Sequence, residues 1–134
     1  MAVRSGPYDP FGKREASVEL SEAEIFSLKA LAQLYLRLGA SDKAERTLKA
    51  IIAIIGPDVE CLGQLAALEL QGGRPQQSLE WLEELENLKP DQEKVLAAIE
   101  LIRAKALRSL ERLEEAEKAR DKYIEIISSV KEER

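Results

Sequence analysis

The sequence returns on itself after 34 residues, and that return leaves few folds open. Leu28, Leu31, Ala32, Gly39, Ala44 and Leu48 come back as Leu62, Leu65, Ala66, Gly73, Ser78 and Leu82, and Pro57 comes back one place early as Pro90. Within each copy the apolar residues recur at three- and four-residue steps, which marks one face of an α-helix. A glycine separates the two apolar runs of a copy, and glycine takes the left-handed conformation that ends a helix more readily than any other residue. Each copy therefore reads as a helical hairpin. A single hairpin cannot bury both of its apolar faces, so the copies must stack.

The individual elements follow from local signals. Ser21 and Glu24 form a capping-box pattern, so the first helix starts there and runs to about Leu38, with Ile25, Leu28, Leu31, Ala32, Tyr35 and Leu36 facing inward. Asp42, with Glu45 three places on, is expected to start the second helix, which turns Ala44, Leu48, Ile51, Ile52 and Ile55 inward and stops at Gly56-Pro57. In the turn QGGRPQQ, Pro75 suits a first helical turn, where its missing N–H would have no partner anyway. A third copy appears only with a step of 38, which sets Ala104, Leu107, Ala116 and Tyr123 on the places of Ala66, Glu69, Ser78 and Leu85. The four added residues are close to one helical turn and lengthen the first helix of the third pair, from about Asp91 to Leu110. The segment LERLEEA holds no Gly or Pro, so a break near Glu111 rests on analogy with the other copies. One continuous helix from Gln92 to about Lys131 is the alternative.

Twenty Leu, seventeen Ala and twenty Glu beside six aromatic residues favour helix throughout, so the expected class is all-α. The net charge of −5, with both signs interleaved, lacks the clustered basic face that nucleic acid requires, and it disfavours an anionic membrane surface. No signal peptide or membrane-spanning run is visible, and a cytoplasmic protein without membrane insertion is expected. Residues 1–20 hold two Pro, two Gly and no helical period. They read as a mobile N-terminal arm, with Tyr8 and Phe11 as its aromatic groups. Residues 21–132 read as a single helical domain.

The 34-residue hairpin with small residues at its eighth and twentieth places, a large apolar residue at the eleventh and a Pro near its end resembles the tetratricopeptide repeat. The first copy matches through Leu31-Ala32, Tyr35, Gly39, Ala44, Leu48 and Pro57. The second keeps Leu65-Ala66, Gly73, Ser78 and Pro90 but has Glu69 where an aromatic is usual; the third keeps Ala104, Leu107 and Ala116 and lacks the turn glycine. The resemblance implies three repeats, at about 25–58, 59–92 and 93–130, in a short right-handed solenoid whose first helices line a concave groove. Its groove places fall on Phe26, Lys29, Gln33, Leu36 and Arg37, on Glu60, Gln64, Ala67 and Leu70, and on Leu101, Ile102, Lys105 and Arg108. Such a groove suits an apolar or amphipathic segment of a protein partner, with acidic groups meeting Lys29, Lys105 and Arg108. Size, repeat number and phrases such as SDKAERTLKAIIAII also look like the small tetratricopeptide chaperones of bacterial type III secretion. That likeness implies a cytoplasmic chaperone in protein transport and virulence, which holds a secreted or export-apparatus protein.

No residue set points to catalysis. The chain has no His, one Cys and no Gly-rich phosphate loop. The carboxylates of EWLEELE and ERLEEAE fall on solvated helical faces. No enzyme activity, cofactor or metal is expected, and Cys61 reads as a small apolar helix residue. Trp81, Tyr123 and Ile127 form a possible second interface, for a homodimer or a co-chaperone. A self-associating scaffold without a client, or an accessory subunit of a larger complex, is the alternative function.

Overall fold

A computed structural model describes residues 19–132, and its regular structure there is six helices with no strand. They are α1 (Glu22–Arg37), α2 (Ser41–Ile55), α3 (Val59–Gln71), α4 (Pro75–Asn87), α5 (Glu93–Ser109) and α6 (Leu113–Glu132). Tyr8, Phe11 and the rest of residues 1–18 lie outside the described residues. No helix is long and apolar enough to cross a membrane among the described residues.

The helices pack as three hairpins, α1/α2, α3/α4 and α5/α6, each laid on the one before it. Their turns, residues 38–40, 72–74 and 110–112, share one backbone pattern. The last turn residue donates its N–H back to the carbonyl five places earlier: Ala40 to Tyr35 at 2.9 Å, Arg74 to Glu69 at 2.8 Å, Arg112 to Leu107 at 2.9 Å. Its own carbonyl then accepts from Ala44, Ser78 and Ala116 respectively, which starts the second helix. The middle residue is left-handed in each, Gly39 at φ 76°, Gly73 at φ 76° and Glu111 at φ 62°. The break near Glu111 thus exists without a glycine, and a continuous helix over 92–131 does not form. The four-residue insertion sits where the 38-residue step puts it, because α5 has 17 residues and α3 has 13.

Small residues sit where the two helices of a hairpin approach. Ala32 and Ala44 are fully buried in one cluster. Ser78 is fully buried too, and its hydroxyl donates to the Ala66 carbonyl at 2.7 Å, so the polar group enters the contact without a lost hydrogen bond. Leu48 and Ile51 join Cys61, Leu65 and Leu68 in a core between hairpins 1 and 2. Leu62, Ala66, Leu82, Leu85 and Ile99 form the core between hairpins 2 and 3. Ile52 and Trp81 pack against both. A smaller cluster of Leu107, Ala116 and Ala119 closes α6 on α5.

Three expectations are corrected, for Asp42, Leu31 and Ile55. The α1 capping box is present, but α2 starts at Ser41 after Ala40 with no side-chain cap, so Asp42 lies inside the first turn rather than at its start. Leu31 and Ile55 are exposed, because the stripe they belong to runs past the edge of the contact. Glu69, at the place of the usual aromatic, is buried as an acceptor: it receives Arg74 Nε and, at 3.2 Å, Trp81 Nε1. A buried carboxylate with two donors, one of them cationic, is tolerated where an unpaired one would not be.

Candidate functional site

Asp58 caps α3 by accepting the Cys61 N–H at 3.0 Å. From there Val59, Gly63, Gln64 and Ala67 form one face of α3 at three- and four-residue steps. Val95, Ala98, Ile99 and Ile102 do the same on α5, and the Pro90–Gln92 turn closes one end. Between the faces lies a cleft of about 730 Å³, floored by Leu82 and Leu85. Its lining is mostly apolar, and its polar members are Asp58, Glu60, Gln64, Asp91, Gln92 and Lys94. The volume is in the range of sites that bury a ligand or a few side chains of a bound segment.

Two further clefts flank it. A hollow of about 440 Å³ along α1 joins Phe26, Lys29, Gln33, Leu34 and Arg37 to Glu60, which also edges the main cleft. A cavity of about 350 Å³ lies between α5 and α6 and contains Lys105, Arg108 and Arg120.

The groove residues expected from the family register therefore divide. Gln64, Ala67 and Ile102 line the main cleft, Phe26, Lys29, Gln33 and Arg37 the α1 hollow, and Lys105 and Arg108 the α5/α6 cavity. Leu36 packs against the first core, while Leu70 and Leu101 are half-buried and line none of these clefts. Val95 and Ile99 line the cleft without being among the expected groove residues. Their signal is the stripe at steps of three, one and three from Val95 to Ile102, which lies N-terminal to the places that the 38-residue step marks on α5.

Electrostatics distinguish spent charges from free ones. Lys29 donates to Asp58 at 3.0 Å and lies 3.5 Å from Glu60, so it ties α1 to the start of α3. Burial pushes the Lys29 ammonium down, yet the Asp58 hydrogen bond and the two carboxylates outweigh it and hold its pKa above the ordinary value. For Asp58 burial pushes up, and the Cys61 N–H and Lys29 outweigh that, leaving its carboxyl below the usual range. Burial first, then the Asp58 carboxylate, push the Cys61 thiol up to about 12, so it is no thiolate nucleophile at neutral pH. Trp81 is spent internally on Glu69 and the two cores. On α6, Tyr123 and Ile127 are half-buried and Ile124 between them is exposed. No group of three metal-ligating side chains occurs among the described residues.

No model of a known protein family matches the chain, and no curated protein matches it. The tetratricopeptide resemblance thus rests on the repeat pattern and its residues.

Proposed function

We propose that the chain is a tetratricopeptide-type chaperone that holds an apolar or amphipathic segment of a partner protein in the cleft between α3 and α5. The observation that carries this is the cleft itself: a preformed space between faces of α3 and α5, lined mostly by apolar side chains and floored by Leu82 and Leu85. An inserted helix or extended segment would bury its anchors against Val95, Ala98 and Ile102, in the way amphipathic helices enter hydrophobic grooves. The identical turns support a repeat array as the scaffold. The narrower resemblance makes an export component of a type III secretion system the client, and no reaction is assigned to the chain.

Ala98 is exposed in the cleft wall, which makes it the residue to test. A photo-crosslinking side chain at position 98 should capture a partner that the same group at Glu84, on exposed α4, does not. The purified partner should then lose at least about tenfold in affinity for Ala98→Glu, since a buried unpaired carboxylate costs more than about 1.4 kcal/mol. Equal capture at both positions, or unchanged affinity in a variant of intact helicity, would overturn the cleft as the binding site.

Self-association is favoured by a different observation. Leu31 and Leu34 on α1 and Leu38 in the turn after it are exposed. A molar mass that rises with concentration and falls back for Leu34→Glu would support that reading.

A further inference from the structure

We infer that the outer face of hairpin 3 is a second binding site, and that it takes an amphipathic helix of a partner protein with carboxylates along its flank. The chain's own stacking marks the place. On hairpin 1, Ala32, Ala44, Leu48 and Ile51 form the surface on which Cys61, Leu65 and Leu68 of α3 close. The equivalents on hairpin 2, 34 places on, are Ala66, Ser78, Leu82 and Leu85, and there Ile99 of α5 closes. The equivalents on hairpin 3, a further 38 places on, are Ala104, Ala116, Arg120 and Tyr123. Ala104 and Ala116 pack within the hairpin as their counterparts do, but among the described residues no following helix closes on Arg120 and Tyr123, and Ala104, Ala116 and Arg120 line the cavity of about 350 Å³ between α5 and α6. Both earlier copies of this face hold a helix, so a helix is the shape it fits.

The chemistry of the face has changed while its shape is kept. Leu48 and Leu82 give way to Arg120, Leu36 and Leu70 to Arg108, and Gln33 and Ala67 to Lys105. Lys105 and Arg108 have no carboxylate within ion-pair distance among the described residues, and Arg120 pairs with its own neighbour Asp121. Three cations thus stand around an apolar floor that holds one carboxylate, Glu117, in a chain whose net charge is −5. A face that served only to keep the stack soluble would be polar across its width. Here Leu113 is 59% exposed, and Ile124, at the place where Ile52 joins two cores, is 48% exposed. Apolar contact with a cationic margin selects a helix of opposite flank charge.

The test uses the full chain and two synthetic helices of about 18 residues, or five turns, with the same Leu and Ala stripe. One carries three glutamates on its flank and its twin carries three lysines. The glutamate helix should bind about tenfold tighter than its twin at low salt, the sum of a few surface ion pairs, and should lose that margin near 1 M salt. Lys105→Glu with Arg120→Glu, both on exposed side chains, should reverse the order while helicity by circular dichroism is unchanged. Ala98→Glu in the α3/α5 cleft should leave the order as it is. Equal binding of the two helices, binding of neither, or a preference that survives the double charge reversal would overturn the inference. So would a preference abolished by Ala98→Glu, which would move the contact to the main cleft. A concentration-dependent mass that the double reversal abolishes would also overturn it, by placing a second copy of the chain on this face.

Discussion

Glu111 stands at φ 62° where the other two hairpins use glycine at φ 76°. A side chain in the left-handed region costs about 1–2 kcal/mol, partly offset because glycine loses more backbone entropy on folding. Glu111→Gly should therefore stabilise the protein by about 1 kcal/mol, a rise in melting temperature of about 4 °C for a domain of this size. A fall in melting temperature would show that the Glu111 side chain contributes more than its backbone costs. Asp58 makes a prediction with a pH sign. Its folded pKa lies below its unfolded one, so its contribution to stability is present above about pH 4 and is lost as pH falls through the folded value. Lys29 is the reverse case: its pKa is raised, so its part is complete below about 10.4 and is lost only as pH rises through the folded value. Asp58→Asn can still cap α3 but cannot pair with Lys29. Urea unfolding should show it weaker by about 1 kcal/mol at pH 7, with the deficit shrinking by pH 2.5. A deficit independent of pH would mean that the cap, rather than the ion pair, is what Asp58 supplies.

At the scale of elements, the hairpins were legible because their signals are local. Gly39, Gly73 and the small pairs Ala32/Ala44 and Ala66/Ser78 each report on a turn or a contact within one copy. The third turn was placed only by analogy, since its left-handed residue is a glutamate and no side-chain type announces it. The groove was less legible because it is made between copies: which α5 residues face α3 depends on how hairpin 3 is laid on hairpin 2, and the inserted turn moved that contact toward Val95 and Ala98. Leu36 shows the same limit, since the family register gives a residue its place and not what packs over it. α3 itself carries an element-scale prediction. Gly63 lies mid-helix, and a Cβ there would meet Leu85 Cδ2 at 3.9 Å, an ordinary contact. Gly63→Ala should raise stability by about 0.5–1 kcal/mol, read as a higher denaturant midpoint at unchanged m-value. The added methyl also enters the α3/α5 cleft. If a partner's backbone approaches α3 closely there, the same variant should bind it more weakly, and a midpoint that falls would mean the helix pair is packed too tightly for the methyl.

For the whole molecule the decisive asymmetry is between the middle of the stack and its ends. Among the described residues α3 meets α2, α4 and α5, and six of its 13 residues are buried; α6 meets α5 alone, and two of its 20 are buried. Ile52 and Trp81 lock the first two cores together, whereas Leu79 is the side chain that links the second core to the small third one. In a stack whose units touch only their neighbours, local opening follows the number of neighbours each element has. Hydrogen exchange should therefore find α3 most protected and α6 least, with opening free energies differing by at least about 2 kcal/mol, and α1 in between because Lys29 ties it to Asp58. Protection at one level across all six helices would show a single cooperative unit and remove this ordering. The ordering also separates the two binding faces. A segment held in the α3/α5 cleft should slow exchange chiefly in α5, which already packs on α3 and α4. A helix seated on the cationic face should slow it in α6, which has the most protection to gain.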